Sequence, residues 1–520
     1  MRLLRSTAVV GAMTMGSRVL GFVRDILLAA ALGAGPVADA FVVALRIPNL
    51  FRRWFAEGAF NAAFVPLYSR RMEEEGGGAA DDFASDVLSV LIVTLGVLVV
   101  GSQLAMPWLM RLMAPGFLDD PDKFGLTVLF TQITMPYLLL MSLTAMVGGA
   151  LNARDKFAAA AGAPILLNVV LISLLYWAPL DQALTGRNIS IGVTASGVLQ
   201  ALMLFWAARR AGVKLKLGFP KLTPGVKRLI VLGVPGAVAA GVTQINITIS
   251  QIVASFQDGA VSLLYYADRL YQLPLGVIGI AMGVALLPML TKRIRANDTQ
   301  GAANAMNRAV EISMALTLPA AAALAVMPNF LAEGLFMRAE FTIEHARGVA
   351  YAVLAFALGL PAFVMIKVLS PSYFAREDTA TPMRFARISM IINVVLGVGA
   401  FWLVRQYWPN LGHVGLAAAT SVAGWVNALL LLRGVVASGG LIIDERLKSR
   451  GPRILVSAVG MAVVVGYGAQ YSDVLTELAF GSRLLALLVL TGIGGITYCA
   501  LALVTGALKP SEIRQALKRS

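Results

Sequence analysis

Three membrane-length apolar segments carry arginines in their middles. The first reads GSRVLGFVRDILLAAALGAG and holds Arg18, Arg24 and Asp25. The second, ADAFVVALRIPNLFRRWFAEGAF, holds Asp39, Arg46, Arg52, Arg53 and Glu57. A later one, SLLYYADRLYQLPLGVIGIAMG, holds the pair Asp268 and Arg269. An ionised side chain at the centre of a membrane helix costs ~2.5–3.5 kcal/mol on insertion scales. Arginines in such places face a wet cavity rather than lipid, and the cavity they line is cationic. The guanidinium fork matches phosphate oxygens bidentately, so a di- or pyrophosphate is its natural guest.

Spacing sorts these residues by role. Arg18, Gly21 and Asp25 fall at i, i+3 and i+7 on one helical face, and Ser17, Gly21 and Arg24 line the neighbouring face. Gly21 leaves room for another backbone or a ligand between the two arginines. Asp39, Arg46, Asn49, Arg53 and Glu57 follow a second helical stripe, with Arg52 one residue's rotation away. Arg53 and Glu57 sit at i, i+4 and can pair, which makes Arg53 the more structural of the two adjacent arginines. Pro48 removes a backbone donor and predicts a kink. Gln272 lies one turn beyond Asp268. The competing reading is static: arginines of the second segment snorkel to the interface, and Asp/Arg pairs lock helices together.

The elements that carry these residues are membrane helices. The chain is 58% hydrophobic and only 14% charged, with a mean hydropathy of +0.77. It lacks the alternating segments of a barrel, and helices are the other structure that satisfies backbone polar groups in lipid. The net charge of +15 fits cytoplasmic loops facing anionic headgroups and does not call for nucleic acid. Cys499 is the single cysteine and lies in an apolar run, which excludes disulfides. The charges at 18, 24 and 25 interrupt what would otherwise pass for a signal peptide, so the first segment is a retained span, and no soluble domain is expected at either end.

At roughly 20 residues per span the apolar segments divide into fourteen helices, near 8–33, 38–69, 85–112, 127–152, 157–179, 189–210, 227–256, 261–292, 306–328, 346–372, 380–405, 413–435, 453–472 and 483–507. Alternate loops are basic (Arg70/Arg71, Arg154/Lys156, Arg209 to Arg228, Lys292 to Arg295, Arg376, Arg446 to Arg453), and the intervening ones are acidic or neutral. The positive-inside rule then places both termini in the cytoplasm. The chain also repeats itself: LNARDKFAAAAGAPILLNVV recurs as YFAREDTATPMRFARISMIINVV, which aligns Arg154 with Arg376 and Asn168 with Asn393. Pro66 and Pro288 share the same offset of 222 residues. Six helices per copy is an even number, so the copies are parallel lobes related by an axis along the membrane normal, with a site expected near the midplane. The expected division is a first lobe at 1–210, a cytoplasmic linker at 211–226, a second lobe at 227–436, two further helices at 453–507 and a tail at 508–520. The linker, Pro/Gly-rich and basic, reads as a surface strap under anionic headgroups.

Other chemistries are missing from the sequence. There is no GxxxxGK[ST] string and no Gly-Lys pair, so no ATP hydrolysis is expected. His345 and His413 are the only histidines and belong to no triad or metal cluster. No metal site is expected.

The strings SRVLGFVRD, RIPNLFRRWFAEGAF and YYADRLYQLPLGVIGIAMG resemble the MurJ/MviN lipid II flippases of bacterial peptidoglycan synthesis. The likeness covers nearly the whole chain. It implies a MATE-like fold of the multidrug/oligosaccharidyl-lipid/polysaccharide exporter superfamily, two six-helix lobes plus two C-terminal helices whose groove guides the lipid tail. By motif it implies substrate-binding roles for Arg18, Arg24, Arg52 and Arg269 and an important acid at Asp39. Some relatives hold sodium through carboxylates on the seventh and eleventh spans, but here those spans offer only Gln244, Asn246 and Asn393, so a sodium site is not expected.

The expected function is an alternating-access flippase of the inner membrane, moving undecaprenyl-pyrophosphate-linked disaccharide-pentapeptide to the outer leaflet. It is expected to act as a monomer without cofactor, driven by the membrane potential, with other cell-wall synthesis proteins as candidate partners. Asp25, Asp39, Arg53, Glu57 and Asp268 would act in gating or ion pairing. Alternatives are a flippase for another undecaprenyl-linked glycan, a drug exporter, or a non-transporting scaffold for cell-wall enzymes. An exporter of organic cations would need a net acidic cavity, and this one is basic.

Overall fold

The computed structural model describes residues 2–55 and 59–509, and their side chains except at 2–8, 51–55, 59, 235–243, 277 and 279–285. Among the described residues all regular structure is helical. The chain forms two compact units, the first Met1–Ser262 with Arg338–Phe341, the second Leu263–Met337 with Thr342–Ser520.

Unit 1 contains α1 (Arg2–Leu32), α2 (Pro36–Phe55), α3 (Ala59–Glu74), α4 (Gly77–Met113), α5 (Pro121–Thr134), α6 (Tyr137–Asn152), α7 (Phe157–Tyr176), α8 (Gln182–Arg210) and α9 (Pro224–Ala254). α10 (Ala260–Arg295) begins in unit 1 and continues into unit 2. Unit 2 continues with α11 (Thr299–Val326), α12 (Pro328–Phe336), α13 (Ile343–Phe374), α14 (Ala380–Tyr407), α15 (Gly412–Ala437), α16 (Glu445–Gln470), α17 (Ser472–Leu478) and α18 (Arg483–Val504). The helical part of the expected span 38–69 is found as α2 and α3, and that of 127–152 as α5 and α6. The α5–α6 division falls at Pro136, whose ring cannot continue a hydrogen-bonded helix. By sequence repeat α9 opens the second copy, and it packs against α2, α3 and α4 within unit 1. Among the described residues, ten helical segments are long and apolar enough to cross a membrane.

Proline should be a liability in such helices, because it frees the carbonyl four residues earlier where no water can reach it. Here side chains of neighbouring helices fill that role. Pro48 frees Ala44 O, which accepts from Thr134 Oγ1 at 2.9 Å. Pro107 frees Gln103 O and Pro136 frees Gln132 O. Each glutamine amide donates to the other's carbonyl, Gln103 Nε2 at 2.7 Å and Gln132 Nε2 at 3.1 Å. In unit 2, Pro319 frees Ala315 O, and Tyr498 Oη donates to it at 2.6 Å, tying α18 to α11.

Two turns 222 residues apart share their backbone detail. α6 ends with Asp155 at φ 57° and α13 with Glu377 at φ 63°, both non-glycine residues in the left-handed region. Beside them Lys156 N donates to Leu151 O and Asp378 N to Tyr373 O, the same bond 222 residues on. The preceding arginines act alike: Arg154 Nη1 donates to Ala211 O just past α8, and Arg376 Nη1 to Ser438 Oγ just past α15.

Candidate functional site

Helix α1 presents Arg24 and Asp25 to the interior of unit 1. Arg24 Nη2 lies 2.7 Å from Asp25 Oδ1 and Arg24 Nε 3.0 Å, while Arg24 Nη1 donates to Asn168 Oδ1 on α7 at 3.0 Å. The side chains are 12% and 2% exposed. Asn168 in turn donates through Nδ2 to Ser17 O at 2.9 Å and lies 3.4 Å from Ser17 Oγ, so both ends of its amide are set by α1. A Cβ at Gly21 would meet that amide at 3.6 Å: the amide of Asn168 is the group that approaches this glycine. The guanidinium is thus held by two oxygens on different helices, with its Nε and Nη2 donors directed at the Asp25 carboxylate. Arg18 is exposed, with no ion pair to another described residue, and Ser17 is half-buried.

Asp39, fully buried in the first turn of α2, has an unexpected partner. Its Oδ2 accepts from Lys123 Nζ at 2.8 Å and from Gly259 N at 2.9 Å; its Oδ1 accepts from Ser262 N at 2.8 Å and Ser262 Oγ at 2.7 Å. The four acceptor positions of the carboxylate are filled. Gly259 N lies just before α10 and Ser262 N in its first turn, so Asp39 caps that helix from outside it and complements its dipole. Lys123, 1% exposed, also reaches Asp258 Oδ1 at 3.0 Å and lies over the Phe117 ring at 4.2 Å. The base that pairs with Asp39 is thus a lysine of α5. Its trace in the sequence is faint: Lys123 is the one base beside Asp119, Asp120 and Asp122, a run that reads as an acidic loop.

The remaining expected residues divide three ways. Arg46 Nη1 faces Gln251 Oε1 at 3.5 Å on α9, and Asn49 Nδ2 donates to Leu45 O at 2.7 Å, bonding its own helix beside Pro48. In unit 2, Arg269 lies 4.6 Å over the Tyr265 ring, and Asp268 accepts from Gln272. The side chains of Arg52 and Arg53, and Glu57 altogether, lie outside the described residues. Of the polar groups on the seventh and eleventh spans, Asn393 Oδ1 accepts from Thr420 Oγ1 at 3.4 Å. No group of three or more His, Cys, Asp or Glu side chains that could hold a metal occurs among the described residues.

The family model for lipid II flippase MurJ matches residues 28–488. A probable lipid II flippase MurJ of Rhizobium meliloti (strain 1021) is 45% identical over 525 residues, spanning 100% of this chain and 97% of the relative. The Burkholderia cenocepacia protein named lipid II flippase MurJ is 34% identical over 440 residues, 84% of each. Among solved structures, a lipid II flippase MurJ in an inward closed conformation superposes with a TM-score of 0.76 at 24% identity, covering 96% of this chain and 98% of that one. An inward-facing multidrug transporter of the MATE family shares the fold more distantly, with a TM-score of 0.65 at 15% identity over 83% of this chain and 97% of that one. The chain belongs to the lipid II flippase MurJ family, a family of membrane transporters with a MATE-like helical fold.

Proposed function

We propose that this protein flips lipid II, the undecaprenyl-pyrophosphate-linked peptidoglycan precursor, from the inner to the outer leaflet of the bacterial cytoplasmic membrane by alternating access. The observation that carries the reading is full-length relatedness to proteins of that name, joined to a mid-helix arginine, Arg24, positioned by Asp25 and Asn168. Arg18, Arg24 and Arg269, with Arg52, bind the pyrophosphate. Asp39 and Lys123 act on the opposite, external side, where closing their ion pair fixes the start of α10. No catalytic residue, ATP site or metal takes part.

The span count is fourteen: the ten apolar segments plus α1, α2 with α3, α9 and α10, most of which carry the site's charges. Both termini are then cytoplasmic, as the basic loops require. The matched hairpins at 149–156 and 371–378 support two parallel six-helix repeats. α16 and α18 follow as the final pair. The test is depletion in cells followed by leaflet-resolved analysis of lipid-linked precursors. Lipid II accumulating on the cytoplasmic face is the expected result; accumulation of a different undecaprenyl-linked glycan, with lipid II distributed normally, would overturn it.

A further inference from the structure

The strap between α8 and α9 is attached to unit 1 in a specific register. The backbone amides of Lys214, Lys216 and Gly218 donate to Asp81 Oδ2 at 2.9 Å, Ser85 Oγ at 3.0 Å and Ser89 Oγ at 3.2 Å. These acceptors sit at i, i+4 and i+8 on α4, about 6 Å apart along the axis. Alternate residues of an extended chain advance ~6.6 Å, so strap and helix keep step. Ser85 and Ser89 spend their hydroxyl protons on Asp81 O and Ser85 O, which leaves their lone pairs to the strap. Arg154 closes the start, donating to Ala211 O at 3.3 Å and to Asp81 Oδ1 at 2.7 Å.

Docked in this way, the strap buries Val213, packs the half-buried Leu215 against the core of unit 1 and turns its lysines and later apolar side chains outward. Leu217, Phe219 and Leu222 are 75%, 85% and 60% exposed, and Lys214, Lys216 and Lys221 between them are exposed too. Just before it, Arg210 lies 4.0 Å over the ring of the exposed Trp206. Just after it, Lys227 and Arg228 precede the exposed Ile230, Val231 and Leu232 of α9, where apolar outer surface begins. From Arg209 to Arg228 there are seven basic residues and no acid. Cations alternating with apolar tips, at the level where an apolar helix surface starts, suit an anionic headgroup layer: ammonium groups meet phosphates while Leu217 and Phe219 enter the acyl boundary. An acidic protein or nucleic acid would satisfy the lysines and leave the apolar tips wet.

We propose that residues 209–228 form a binding site for anionic phospholipid headgroups, and that lipid bound there presses the strap onto α4. The assignment of leaflet rests on the orientation given above; the binding itself does not. The experiment is hydrogen exchange of the full-length protein in nanodiscs of phosphatidylcholine, with and without phosphatidylglycerol. The amides of Lys214, Lys216 and Gly218 are expected to exchange on the order of a hundredfold slower in the anionic discs, the scale set by three lysines at a charged lipid surface. High salt and the variant Lys214→Ser/Lys216→Ser/Lys221→Ser should erase the difference, while Arg187→Ser, an exposed base at the far end of α8, should preserve it. The substituted lysine side chains are exposed, so the variant is expected to fold, and protection elsewhere in α4 reports this directly. Equal exchange in the two lipids, or a difference that survives the triple substitution, would overturn the proposal. Nanodiscs expose both faces and no flipping is measured, so failure here leaves the flippase reading standing.

Discussion

Lys123 and Asp39 form the most enclosed ion pair described in unit 1, and enclosure makes the effect of removing one partner large. A buried charge left alone costs ~3–5 kcal/mol, whereas replacing both members can be close to neutral. Lys123→Met is therefore expected to destabilise the detergent-solubilised protein by about that amount, and Asp39→Asn added to it should recover much of the loss. Denaturation midpoints of the two variants decide this; equal destabilisation by both would remove the pair from the account. Arg24 makes a different kind of prediction. Lysine keeps the charge but cannot reach Asp25 and Asn168 together as a planar fork does. Arg24→Lys should weaken binding of a pyrophosphate lipid roughly tenfold and Arg24→Ala more; the lysine keeps a charge beside the buried Asp25 and should change thermal stability little, whereas the alanine removes that partner and should lower it. Direct binding measurements on the purified variants check the order. At this scale Arg24 and Asp25 were legible because charge inside an apolar run has few explanations. Lys123 was not, because its partner lies 84 positions away and the surrounding aspartates read as an ordinary acidic loop.

Among helices, the prolines show what sequence can and cannot disclose. Pro48, Pro107, Pro136 and Pro319 announce freed carbonyls, since the missing N–H is a property of the residue itself. The donors that satisfy them come from other helices, so Thr134, Gln132, Gln103 and Tyr498 are identified only by packing. Tyr498→Phe tests the energetic weight of such a donor. It removes one hydroxyl and leaves the ring, so the loss is a single hydrogen bond to Ala315 O within the apolar contact of α11 and α18. The expected cost is about 1 kcal/mol, the scale of side-chain hydrogen bonds within membranes. A lowered unfolding midpoint with unchanged helical content would agree, and an unchanged midpoint would show that the freed carbonyl finds another donor. Ten of the expected spans coincide with helices long and apolar enough to cross a membrane, because hydropathy is a local property of the sequence. The short helices α12 and α17 were not expected, because a search at membrane length passes over elements of nine and seven residues.

For the whole molecule, charge bears on the energy source. The pyrophosphate head of the proposed substrate is anionic and the cell interior is negative, so each negative charge carried outward gains ~2.3 kcal/mol per 100 mV. In the proposed cycle, any arginine that moves outward with the substrate returns inward without it, and the same field favours that return. The site's own charge cancels between the outward and return steps, so over the full cycle the potential favours flipping by the substrate's negative charge alone, without a coupling ion. The polar groups on the seventh and eleventh spans agree with this: Gln244, Asn246 and Asn393 are neutral, and a hard cation binds best to carboxylate oxygens. We propose the membrane potential as the chief driving force. Flipping of fluorescent lipid II in sealed proteoliposomes should rise steeply with an imposed inside-negative potential, and should stay near its basal rate when the potential is clamped at zero and only a sodium or proton gradient is applied. Full activity restored by the sodium gradient alone would place a cation site among those neutral side chains and remove the potential from its leading role.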